Sequence, residues 1–127
     1  MIEEGRALFL QIAESIEDAI VDGSLAEEAQ VPSTNELAAF HRINPATAAK
    51  GVNMLVDKGV LYKRRGIGMF VAPGAREQVR GERRAVFADR YIEPLLAEAR
   101  ALGLSSADLG TLIQQRYNAH TAEGTAR

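Results

Sequence analysis

Three cations stand in a row at Lys63, Arg64 and Arg65, directly before Gly66-Ile67-Gly68 and the apolar run Met69-Phe70-Val71. Cations beside closely spaced glycines are the chemistry of phosphate recognition. Guanidinium and ammonium groups supply charge, and glycine lets the backbone come close to an oxyanion. A loop that cradles a nucleotide does so from the start of a helix that follows a strand. Here the residues after the glycines are strand formers, no third glycine stands in register, and no Gly-Lys-Ser/Thr is present. A cationic hairpin tip that touches the phosphates of a polymer fits these residues better.

Other chemistries find less support. Cysteine is absent, which excludes disulfides and thiolate metal sites and fits a reducing cytoplasm. His41 and His120 have no Ser, Cys or metal-spaced neighbour, and Glu14, Glu17 and Asp18 read as the wet side of a helix. Neither an enzyme nor a cofactor is expected. The chain of 127 residues is 46% apolar and 25% charged, the balance of a soluble globular protein. No apolar run is long enough for a membrane helix, and the N-terminus has no secretory pattern. The net charge of -2 hides a split. Residues 1–30 carry one cation and eight acids (net -7), residues 31–74 six cations and two acids (net +4), and residues 75–127 eight cations and seven acids (net +1). With screening over about 8 Å, a polyanion docked on the middle third feels that island more than the acidic N-terminal third.

The elements that must carry these cations follow from periodicity. Leu8, Ile12, Ile16 and Ile20 recur every four residues across 6–22 and predict a helix ended by Gly23. "SLAEEAQVP" reads as a connector. A second helix begins at Ser33, which with Glu36 makes a capping box, and Leu37, Ala38 and Phe40 give it something to bury. After the turn "HRIN", Asn44 caps a third helix with Pro45 at its first position. Ala48, Val52, Leu55 and Val56 form its inward stripe, and Lys58-Gly59 mark its end. Two short helices joined by a tight turn make a helix-turn-helix. "VLYKR" and "GMFVA" then read as a hairpin, closed by Pro73-Gly74.

The remainder is helical. Residues 76–103 form a long helical stretch that Pro94 should kink or interrupt, ended by Gly103. Ser105 and Asp108 cap a last helix, and "AHTAEGTAR" reads as a frayed tail. The expected fold class is mainly α with a small β-hairpin, divided into a winged helix-turn-helix over 1–74 and a two-helix element over 75–127. Phe87, Ile92, Leu95, Leu96, Leu109, Leu112 and Ile113 are more apolar surface than two helices can hide alone. They are expected to pair with a second copy of the chain.

The stretch "VPSTNELAAFHRINPATAAKGVNMLVDKGVLYKRRGIGMFV" closely resembles the signature of the GntR-type winged-helix transcription regulators: Pro-Ser-x-x-Glu-Leu-Ala, a recognition helix, then a Gly-x-Gly-x-Phe-Val wing. With the helix at 6–22, the resemblance spans about residues 6–72. "INPAT" and the short C-terminus resemble the YtrA-like subgroup. The resemblance implies a DNA-binding regulator, a homodimer on a palindromic operator, and a leaning toward repression. Where many members carry arginine, this chain has Asn35, Pro45 and Ala49, and its "AEEAQVP" loop lacks the usual glycine-containing turn.

The expected DNA-contacting set is Ser33, Thr34 and Asn35 at the second helix, and Asn44, Pro45, Ala46, Thr47, Ala49 and Lys50 on the third. Lys63, Arg64, Arg65 and Gly66 complete it on the wing. With no arginine on the recognition face, affinity is expected mainly from phosphate contacts by the cations, and selectivity from small contacts and DNA shape. The alternative is a winged-helix interaction module that binds no DNA. The expected partners are double-stranded DNA and a second copy of the chain, with a small-molecule effector left open and no membrane.

Overall fold

The computed structural model describes residues 7–125. Among them the chain is mainly helical, with one two-stranded antiparallel sheet. In order come α1 (Leu8–Asp22), α2 (Thr34–His41), α3 (Pro45–Asp57), β1 (Leu61–Arg64), β2 (Gly68–Val71), α4 (Ala75–Phe87), α5 (Glu93–Ala101) and α6 (Ser106–Thr125), with a π-helical turn over Ala88–Ile92. By contacts the chain divides between Arg83 and Arg84.

The core of the first unit is built from the predicted stripes. Ile12, Ile16 and Ile20 of α1 meet Leu37 of α2, Val52 and Leu55 of α3, and Val60, Leu61 and Val71 around the hairpin, all buried. The start of α4, which the sequence places after the Pro73-Gly74 boundary, joins this core through Ala75 and Val79. Arg76 Nε donates to the Val21 carbonyl at 3.1 Å, and Arg83 pairs with Asp18 at 2.6 Å, so two of the basic residues of α4 grip α1. Lys58 Nζ lies 2.8 Å from Glu17 and 2.9 Å from Glu82, which ties the end of α3 to α1 and α4. Burial disfavours its ammonium, but the hydrogen bonds it donates to the two carboxylates outweigh that and raise its pKa above the ordinary lysine value.

Helix ends follow the local rules. Ser33 and Glu36 complete the expected capping box, and the Ser33 backbone N–H holds the Glu36 carboxyl below its ordinary pKa. α3 stops in a Schellman arrangement at Gly59, with Val60 N–H bonded to the Leu55 carbonyl. α2 ends the same way, Ile43 N–H to the Ala38 carbonyl, but its left-handed residue is Arg42 (φ 56°). The left-handed conformation costs an L side chain about 1–2 kcal/mol, against about 0.5–1 kcal/mol for the extra freedom of glycine in the unfolded chain. Arg42→Gly should therefore raise stability by about 0.5–1 kcal/mol in urea unfolding. A lower midpoint would mean that the arginine side chain supplies contacts worth more than its strain.

Two expectations change in this unit. Phe40 is not buried: it is 82% exposed, with its ring edge-on to His41. At 100° per residue it lies about 110° from the middle of the face that Leu37 and Ala38 turn inward. The segment 28–31 is also more than a connector. Glu28 N–H bonds to the Val71 carbonyl, Val71 N–H to the Ala29 carbonyl and Val31 N–H to the Met69 carbonyl, so β2 lies between β1 and this third strand-like strip.

Within the second unit, the helix does not simply break before Pro94. It widens into the π turn, where Glu93 N–H reaches back to the Ala88 carbonyl. Proline cannot donate a hydrogen bond and its ring crowds the carbonyl four residues earlier, and one wide turn relieves both. Gly103 ends α5 with φ 72°, and Leu104 N–H bonds to the Ala99 carbonyl. Ser105 and Asp108 cap α6 reciprocally at 2.9 and 3.1 Å. α6 runs on to Thr125 through most of the stretch that reads as a frayed tail, and Ala126 and Arg127 lie outside the described residues. No proline interrupts it, and Gln114 bonds to Asn118 one turn on.

Candidate nucleic-acid interface

The second helix of the helix-turn-helix presents an open face. Asn44 Oδ1 accepts the Ala46 N–H at 2.7 Å, so Asn44 is the N-cap, and Pro45 sits at the first turn. Asn44, Pro45, Ala46 and Lys50 are exposed, while Thr47 and Ala49 are half-buried. Ala46, Ala49, Lys50, Asn53 and Asp57 recur at three- and four-residue spacing and line one groove beside Phe9. Asn53 and Asp57 belong to this stripe but not to the expected DNA-contacting set, and Asn53 lies closer to its middle. Its spacing from Ala46 and Lys50 was the available signal. Lys50 Nζ lies 4.1 Å from the centroid of the Phe9 ring.

At the start of α2, Ser33 spends its hydroxyl on the Glu36 N–H at 3.1 Å. Ser33 and Asn35 are exposed, and Thr34 is half-buried.

The hairpin explains the Gly-x-Gly. The strands pair Leu61 with Val71, Tyr62 with Phe70, Lys63 with Met69 and Arg64 with Gly68. Arg65 and Gly66 are the central residues of the turn, closed by Ile67 N–H to the Arg64 carbonyl at 2.9 Å. Gly66 has φ 76°, as the third position of a type II turn requires. Gly68 answers a different need. Gln30 reaches across from the third strip and donates to the Ile67 carbonyl at 3.1 Å, and a Cβ on Gly68 would come 2.7 Å from that amide nitrogen. One glycine makes the turn, and the other admits the side chain that braces it.

The wing cations are not equivalent. Lys63, Arg64, Arg65 and Gly66 are all exposed. The Arg64 guanidinium, however, lies 4.9 Å from the Phe70 ring centroid, and Tyr62 stacks against Phe70 with centroids 6.0 Å apart. Tyr62 in turn donates its hydroxyl to Glu28 at 2.6 Å, and that hydrogen bond raises its pKa above the usual phenol value. Arg64 thus caps a stack that joins the wing to residues 28–31.

In the second unit, the residues expected at a dimer contact are largely uncovered. Phe87, Leu95, Leu112 and Ile113 are exposed, and Ile92, Leu96 and Leu109 are half-buried. A groove of about 450 Å³ between α5 and α6 is lined by Leu95, Ala99, Leu102, Leu109, Leu112 and Ile113 among others. No residue of α6 whose side chain is described is buried. No helix of the described residues is long and apolar enough to cross a membrane, and no cluster of potential metal ligands occurs among them.

The family model described as "Bacterial regulatory proteins, gntR family" matches residues 8–71, which is α1 through β2. YhcF of Bacillus subtilis (strain 168), an uncharacterized HTH-type transcriptional regulator, is 25% identical over 107 residues, covering 84% of this chain and 87% of that protein. A crystal structure of a GntR-family protein from Bacteroides thetaiotaomicron is 30% identical, covers 90% of this chain and 99% of that one, and superposes with a TM-score of 0.70. AraR(DBD), solved in complex with operator ORX1, is 27% identical over 57% of this chain and 93% of that one, with a TM-score of 0.51. The chain belongs to the gntR family of bacterial regulatory proteins, as a DNA-binding transcription regulator of the winged helix-turn-helix type.

Proposed function

We propose that the chain is a cytoplasmic repressor of the YtrA-like subgroup that binds a palindromic operator as a homodimer. In this reading residues 1–74 hold the DNA and residues 75–127 join two copies. α3 enters the major groove with Asn44, Pro45, Ala46, Thr47, Ala49 and Lys50 toward the bases and their flanking phosphates. Ser33, Thr34 and Asn35 meet the backbone from the start of α2. The wing brings Lys63, Arg64, Arg65 and Gly66 to the neighbouring phosphates or minor groove. Repression then needs only occupancy of a promoter.

The observation that carries the DNA-contact reading is the braced, exposed cationic tip next to a recognition helix whose outer stripe is small and polar. The solved operator complex of AraR(DBD) supports the same use of the fold. For the dimer the support is α6, a helix of 20 residues. Helices in proteins draw most of their stability from packing an apolar face, and Leu112, Ile113 and Tyr117 of α6 stay exposed among the described residues.

Salt dependence of binding to DNA tests the wing. Each neutralised phosphate contributes about 0.9 to the slope of log affinity against log salt, so Arg65→Ala should flatten the slope by about 1.8 per dimer and weaken all sequences alike. Arg64→Ala should flatten it less, because its guanidinium is partly committed to Phe70. A mutant at Arg65 with unchanged affinity and unchanged slope would remove the wing from the interface.

A further inference from the structure

Lys50 does not stand alone on the outer face of α3. Its ammonium lies 4.1 Å from the centroid of the Phe9 ring, on the second residue of α1. An aromatic from α1 reaches this face because of Gly51. A Cβ there would come 2.6 Å from the Phe9 carbonyl oxygen, so the two helices cross at backbone distance directly beside Lys50. Phe9 and Lys50 then line the same open groove as Ala46, Ala49 and Asn53.

A lysine on an exposed helix samples many rotamers, and a phosphate contact must order it at an entropic cost. A ring face attracts the ammonium through its quadrupole and restricts it beforehand. The ammonium has three donors, so one side can rest on the ring while the others point outward to an anion. Leucine at position 9 would fill the same space without holding the charge.

Resting on the DNA-binding reading above, we propose that Phe9 is a positioning residue for DNA, its ring holding Lys50 ready for a phosphate beside α3. The ring touches the cation and not the DNA bases, so its contribution should be sequence-independent and should exist only while Lys50 is present.

The test uses the full chain and a mixed-sequence duplex long enough for two half-sites, with fluorescence anisotropy over a series of salt concentrations. Phe9→Leu should weaken binding about two- to fivefold. That loss should vanish in a Lys50→Met background, where there is no charge left to hold. A ring-fluorinated phenylalanine at position 9 keeps the shape but drains the ring face; it should reproduce the loss with the melting temperature unchanged, which keeps the test open if Phe9→Leu does not fold. Phe9→Tyr should bind as the parent does. Equal losses with and without Lys50, or a fluorinated ring that changes nothing, overturn the proposal while leaving the DNA-binding reading intact. A parent chain that binds no duplex at low salt overturns that reading itself.

Discussion

Placing Leu112→Glu and Ile113→Glu together on α6 should leave a monomer in sedimentation, with the first unit still folded. Affinity for a palindromic duplex should fall by about 10²- to 10⁴-fold, because a dimer presents its second DNA-binding unit at high effective concentration and a monomer does not. Both side chains are about two-fifths exposed and line the α5–α6 groove, so the charges need not disturb a core within the chain. A second copy covering that groove would have to bury two carboxylates, which is unfavourable without partners. Binding to an isolated half-site should change little. A parent chain that sediments as a monomer at micromolar concentration sinks the dimer and the palindrome together. A double mutant that stays dimeric moves the contact elsewhere, toward Phe87 and Ile92.

The second large effect is expected at Gly51. On helix propensity alone, Gly51→Ala should stabilise α3 by about 1 kcal/mol. The added methyl, however, would meet the Phe9 carbonyl oxygen at 2.6 Å and the Ile12 side chain at 3.0 Å. One neighbour is backbone and the other is fully buried, so α1 as a whole must shift. Overpacking of this kind costs about 1–3 kcal/mol, and with no room to relax it outweighs propensity. A net loss of about 2 kcal/mol is expected in urea unfolding, and more for Gly51→Val, whose branch adds a second clash. DNA affinity should drop beyond what the unfolded fraction explains, since the same shift carries Phe9 away from Lys50. A midpoint that stays or rises would mean that α1 and α3 do not cross at this glycine.

Much of what depends on residues two to five apart was legible in the sequence. The capping boxes at Ser33–Glu36 and Ser105–Asp108, the Asn44 cap with Pro45 behind it, and the stops at Gly59 and Gly103 are all short-range hydrogen-bond geometry. So are the inward stripe of α1 and the two strands of the hairpin, because the side-chain period belongs to the local backbone. Short α2 misled the reading of Phe40, since with two buried residues its inner face is set by what packs on it.

The rest was decided where distant segments meet. Gln30 braces the wing through a carbonyl 37 residues away, and Gly68, with φ 146°, leaves room for its amide. Nothing in "AEEAQVP" marks residues 28–31 as a strip along β2, because strand pairing is completed by a partner outside the segment. In the same way Arg64 reads as one of three equal cations until Phe70 is found beneath it, and Gly51 reads as a weak point in a helix until α1 lies against it. Sequence spacing places side chains on a face of their own element. Only tertiary packing brings another element's atoms to that face, and those atoms set apart the cations held on rings from the cation at the tip.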